Sequence, residues 1–107
     1  MSGVIVIVAY RPKLGKEHDL LQLVRSRVPR LHKEGLVTDR TPTIMRSRDG
    51  TIIEVSEWKS REAIEAAHKN PKVLAMWNEF FALCDCVPLN TLPESAEMFA
   101  SFTPVED

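Results

Sequence analysis

The chain has 107 residues, 14 Lys or Arg against 15 Asp or Glu, and 44% hydrophobic residues, enough for one core and so for a single domain over residues 1–107. This charge balance offers no basic surplus for nucleic acid or an anionic membrane. The apolar run Val4 to Ala9 is too short to span a bilayer and lacks the basic leader and cleavage pattern of a secretory signal, so a cytoplasmic chain is expected.

Val4 to Tyr10 reads as a strand from its β-branched content, without apolar/polar alternation, so both of its faces need cover. Arg11 to Gly15 forms a turn. From Lys16 to Glu34, Leu20, Leu21, Val24, Val28 and Leu31 recur at helical spacing, with acidic residues in the first turn and Gly35 as C-terminal cap. Pro29 must remove the bond to the Arg25 carbonyl, which predicts a kink or an early end. Thr43–Arg48 and Thr51–Trp58 are strands joined by Asp49-Gly50, a strong hairpin signal. Ser60 then caps a helix that turns Ala63, Ile64, Ala67 and His68 inward. Asn70-Pro71 opens the next helix, whose apolar face is Val73, Leu74, Trp77, Phe80, Phe81 and Cys84. After a polar loop from Leu89 to Ser95, Met98 to Thr103 is expected as the last strand, followed by a tail from Pro104 to Asp107.

This βαββαβ order predicts an α+β, ferredoxin-like fold, a four-stranded antiparallel sheet with its helices on one face. The other face would be bare and apolar. A homodimer in which two sheets pack face to face, a dimeric α/β barrel, covers it.

Ser56-Glu57-Trp58-Lys59-Ser60-Arg61-Glu62-Ala63, followed by His68 and by Asn70-Pro71-Lys72-Val73, resembles the antibiotic biosynthesis monooxygenase family. The resemblance implies a dimeric α/β barrel whose members include cofactor-independent oxygenases of polyketide aromatics and quinols, and haem-degrading enzymes. The Asn, Trp and His that the haem-degrading members use fall here on Val8, Ala67 and Trp77, which argues against haem degradation. Of the pocket residues of the polyketide-quinol oxygenases, Trp58 maps, while Glu54, Ile64 and Asn78 stand near the other positions.

A cofactor-free oxygenase needs a base, a donor that stabilises the oxyanion, and an apolar pocket that admits dioxygen. His68, one turn after Ile64, is the candidate base, set against the alternative of a partly buried histidine bonded to backbone. Trp58 and Trp77 are candidate walls for a flat ligand, or plain core. Glu54 shares a strand face with Trp58 and is a second candidate base, or an exposed or salt-bridged carboxylate. Arg46 is a candidate for an acidic substrate group, or a solvated surface arginine, and Tyr10 a candidate donor or a rim residue. Cys84 and Cys86, one residue apart, suit reduced thiols better than a disulfide. No metal-ligand pattern and no phosphate-binding glycine loop is present, so neither metal nor cofactor is expected. The reading is a homodimeric monooxygenase of a small aromatic phenol or quinol. The alternatives are a non-catalytic ligand-binding or stress-related barrel, and an isomerase or decarboxylase on the same scaffold.

Overall fold

The computed structural model describes residues 3–106. Its strands are β1 (Val4–Pro12), β2 (Thr43–Arg46), β3 (Ile52–Trp58), β4 (Cys84–Val87) and β5 (Thr103–Pro104), and its helices α1 (Glu17–Lys33), α2 (Arg61–Ala67) and α3 (Pro71–Leu83). The strands form one sheet in the order β4-β1-β3-β2-β5, and each neighbouring pair is antiparallel. With β5 set aside, that is the ferredoxin-like α+β arrangement.

Local chemistry explains the elements. Ser60 Oγ accepts the Ala63 N–H at 3.0 Å to open α2, and Asn70 Oδ1 accepts the Lys72 and Val73 N–H groups at 2.9 and 3.3 Å to open α3, with Pro71 just inside. The β2–β3 turn closes through Ser47 N–H to Thr51 O at 2.9 Å. Gly50, at φ +91°, takes the left-handed position that a side chain would strain. Proline at position 29 does not end α1, which runs to Lys33 before closing with Glu34 N–H to Leu31 O.

The fourth strand is not the expected one. Met98 and Phe99 are 89% and 85% exposed and lie in no strand, whereas Cys84 to Val87 pairs with β1 directly where α3 ends. The reason is the junction. Lys13 N–H donates to Leu83 O and Lys13 Nζ to Phe81 O, both at 2.9 Å, so the last carbonyls of α3 are satisfied by the end of β1 and the chain extends at once from Cys84. Of the C-terminal stretch, Thr103 and Pro104 form a short strand against β2 and Val105 N–H donates to Ile44 O at 2.9 Å; Asp107, the end of the expected tail, lies outside the described residues.

The main core lies between the helices and one sheet face, where Leu20, Val24 and Leu31 of α1 meet Tyr10, Ile52, Trp58 and the α3 residues Val73, Met76 and Phe80. Each large aliphatic side chain buried there contributes on the order of 2 kcal/mol. The apolar stripe of α3 is rotated from the expected one: Met76 is buried, while Leu74 and Phe81 are exposed on the flank. On the other sheet face, Leu92 packs with Ala9 and Ile53 in a smaller cluster. The segment carrying Leu92 is locked down by Glu94, which is fully buried and accepts from Ser47 Oγ at 2.7 Å and from Arg48 N–H at 2.8 Å. That cover stops short of Ile5 and Ile7, which stay 49% and 44% exposed.

Candidate active site

Antiparallel register decides which side chains meet under the helices. Val8 lies opposite Glu54 and Tyr10 opposite Ile52, and on its other side Tyr10 lies opposite Cys86. Cross-strand partners share a face, so Glu54, Tyr10 and Cys86 all point toward α1 and α3. From above, α1 brings Arg27 into the same layer, seven residues after Leu20 and four before Leu31, a core position on the helix.

These residues form a buried relay. The Tyr10 hydroxyl donates to Glu54 Oε1 at 3.0 Å, and Arg27 Nη1 donates to the same oxygen at 2.9 Å and to Ser56 Oγ at 3.4 Å. Glu54 is fully buried and Arg27 is 5% exposed. Glu54 Oε2 has no hydrogen-bond partner among the described residues, and both side-chain bonds of Arg27 leave from Nη1. The guanidinium lies 5.7 Å from the centre of the Trp58 ring. Burial pushes the Glu54 carboxyl above its ordinary value, against Arg27 and the Tyr10 hydroxyl, which pull it down. Burial also pushes the Tyr10 phenol far above its usual range, so it stays a donor at neutral pH.

The relay opens on a cleft of about 230 Å³ between β1, β4, α1 and α3. Val8, Tyr10, Arg27 and Cys86 line one part of it, and Trp77, Phe80 and Phe81 of α3 the rest. The Tyr10 and Phe80 rings stack at 5.0 Å. The volume falls below that of drug-sized sites and suits one or two aromatic rings. A larger open groove of about 630 Å³ lies between the C-terminal half of α1 and the 38–42 segment. On its rim His32 bonds Asp39 at 2.6 Å and Arg40 pairs with Glu57 at 3.2 Å, and among the described residues no buried polar group opens on it.

The model of the family described as Antibiotic biosynthesis monooxygenase matches residues 3–78, well over half of the chain. The chain belongs to that family. Comparison with curated proteins and with solved structures gave no match. In this antibiotic biosynthesis monooxygenase family member the matched segment carries Val8, Tyr10, Arg27, Glu54 and Trp77. The remaining cleft residues Phe80, Phe81 and Cys86 stand beyond it.

The sequence-derived candidates divide into three groups. Tyr10 and Trp77 line the cleft, and Glu54 lies directly behind Tyr10, fully buried and ion-paired rather than exposed. Trp58 is buried beneath Arg27 and outside the cleft lining, with Nε1 unpartnered among the described residues. His68 and Arg46 are elsewhere. His68 was expected to face inward, but it caps the end of α2 in solvent; its Nδ1 lies 2.9 Å from Ile64 O and so carries the hydrogen, and its ring meets the edge of Trp77 at 5.1 Å from outside. The cause is the short helix, which ends at Ala67 and leaves His68 past its buried face. Arg46 ends β2, exposed, opposite Ile52 and Thr103. Arg27, which the sequence reading passed over, could have been found as a lone arginine on the apolar stripe of α1. Among the described residues no group of three His, Cys, Asp or Glu side chains could hold a metal ion, and no helix is long and apolar enough to cross a membrane.

Proposed function

We propose that the cleft oxygenates a one- or two-ring phenol or quinol with dioxygen and without a bound cofactor. The observation that carries this reading is the Arg27–Glu54–Tyr10 relay at the base of an aromatic cleft. Family membership supports it with a scaffold of monooxygenase or ligand-binding type.

The substrate ring lies against Trp77, Phe80 and Phe81 with its hydroxyl toward Tyr10. As the Tyr10 oxygen takes the phenolic proton, its own proton passes along the 3.0 Å hydrogen bond to Glu54. The raised value of Glu54 makes it a stronger base than an ordinary carboxylate. The phenolate is then held by Arg27 through Nη2. With 1-naphthol, the electron-rich phenolate passes electrons to dioxygen and a carbon–oxygen bond forms at the para carbon. That carbon and the hydroxyl each lose a hydrogen, the oxygen–oxygen bond breaks, and one atom leaves as water while the other stays in 1,4-naphthoquinone. The ring supplies all four electrons, so the balance closes without a further reductant.

The homodimer belongs to the same proposal. Ile5 and Ile7 project from the bare side of β1, away from the cleft, and two such faces packed together would bury them. The free thiols suit a reducing compartment, which favours the cytoplasm.

The test is dioxygen uptake with 1-naphthol and isotopically labelled dioxygen. The expected result is uptake above the protein-free rate and one labelled atom in the quinone, with Tyr10→Phe slowing turnover by about 100-fold. Binding of 1-naphthol with no uptake would replace this reading by that of a ligand-binding barrel. Turnover without dioxygen would replace it by that of an isomerase or decarboxylase.

A further inference from the structure

We propose that Cys86 is a covalent capture site for quinones that occupy the cleft. This rests on the oxygenase reading for the source of the quinone, but the chemistry belongs to the cleft itself.

Four observations converge. Cys86 lines the cleft and is exposed, with its side chain on the same face as its cross-strand partner Tyr10. Trp77, Phe80 and Phe81 supply the flat apolar surface on which a quinone ring would rest. Arg27 is nine-tenths buried, lines the same cleft and makes both of its side-chain bonds from Nη1. Cys84, two residues back on the same face of β4, is buried and donates its S–H to Phe80 O at 3.3 Å. The thiol is therefore one part of a built site. It faces an aromatic-lined space that also holds the Arg27 guanidinium, which pairs with Glu54 through Nη1.

The reaction needs those parts. A thiolate adds to the ring carbon–carbon double bond of the quinone, forming the carbon–sulfur bond, and the electron pair moves through the ring to a carbonyl oxygen. Arg27 stabilises the negative charge that develops there; that oxygen then takes one proton, and the hydrogen on the sulfur-bearing carbon leaves as a proton for the other carbonyl oxygen, which restores the aromatic ring as a thioether-linked quinol. Thiol and quinone are the only reactants, and the addition needs no oxidant: the two carbonyls are reduced to the quinol as the ring carbon that takes the sulfur is oxidised. The thiolate is available at neutral pH: the neighbouring Cys84 thiol brings the Cys86 thiol down to about 7, opposed by burial, helped by Arg27 and opposed by Asp85. The adduct would occupy the cleft, so a modified chain no longer takes a phenol.

The probe is 1,4-naphthoquinone at one equivalent with the full chain, followed by intact mass and peptide mapping. One adduct on Cys86 is expected, formed at least ten times faster than with glutathione at the same pH, slowed by excess 1-naphthol and absent in Cys86→Ser. After modification, 1-naphthol binding should be lost. Labelling at the glutathione rate, indifference to 1-naphthol, or adducts on other residues with Cys86 left free would overturn the proposal. The two readings can fail separately: capture of added quinone without dioxygen uptake would leave this site standing and remove the oxygenase. Uptake with Cys86 no more reactive than glutathione would do the reverse.

Discussion

Glu54 is the residue on which most of the proposed chemistry turns, and its surroundings allow two opposed effects to be separated. Removing one partner of a buried ion pair strands the other charge, so Glu54→Ala should cost about 3–5 kcal/mol in a urea titration. Replacing both ends with apolar groups, Glu54→Leu with Arg27→Met, should recover much of that stability while leaving no turnover. A double variant as unstable as the single one would show that the charges do not act as a pair. The pH dependence follows from the raised carboxyl of Glu54. A value raised in the folded state gives a share of stability that is complete below the unfolded value, about 4.3, and is lost as pH rises through the folded value. Activity should move the other way, because the base must be ionised, and the acid limb of the rate profile should lie above the ordinary carboxylate range. The sequence showed that Glu54 shares a face with Trp58, but not which face the helices cover. Pairing it with Arg27 required knowing that α1 crosses above Val8 and Tyr10, a long-range fact that local periodicity does not contain.

At the scale of elements, caps and loop locks carry separate predictions. Asn70 caps α3 and also donates to Glu34 Oε1 at 3.1 Å, tying the start of α3 to the end of α1. Asn70→Ala should therefore cost about 1 kcal/mol or somewhat more by thermal unfolding. The Glu94 lock is acid-sensitive. Burial pushes its carboxyl up, but the Arg48 N–H, the Ser47 hydroxyl and the Arg48 charge together bring it below the usual value. A lowered value gives stability that is present above the unfolded value and lost as pH falls through the folded one. Hydrogen exchange in residues 88–97 should rise as pH is lowered into that range, and Glu94→Gln should show the same opening at neutral pH. Unchanged exchange in both would mean that Leu92 alone holds the segment. Hairpin, caps and the two long helices were legible because each is written in adjacent residues. The β4 strand was hidden because Cys84 continues the spacing of Val73, Trp77 and Phe80, so a helical stripe runs without a break into an extended segment.

At the scale of the whole molecule, the part of the second sheet face left uncovered at Ile5 and Ile7 is the feature to test. Ile7→Lys should convert a dimer to a monomer in sedimentation at micromolar concentration, with the far-UV spectrum unchanged. A wild-type chain already monomeric there would remove the dimer from the proposal. The ferredoxin-like fold could be read from element order alone, because that order leaves few ways to close a small antiparallel sheet under its helices. The expected bare face is only partly so: the Leu92 segment covers Ala9 and Ile53, a contact between residues far apart in the chain, and leaves Ile5 and Ile7 exposed. Helix α3 passes into β4 with no residue between Leu83 and Cys84. Strand faces alternate residue by residue, so one residue inserted at that junction would turn both thiols outward and bring Asp85 to the cleft position that Cys86 now holds. The cleft would then present a carboxylate where it now offers a nucleophilic sulfur, and a single codon would separate a chain that traps electrophiles from one that repels anions.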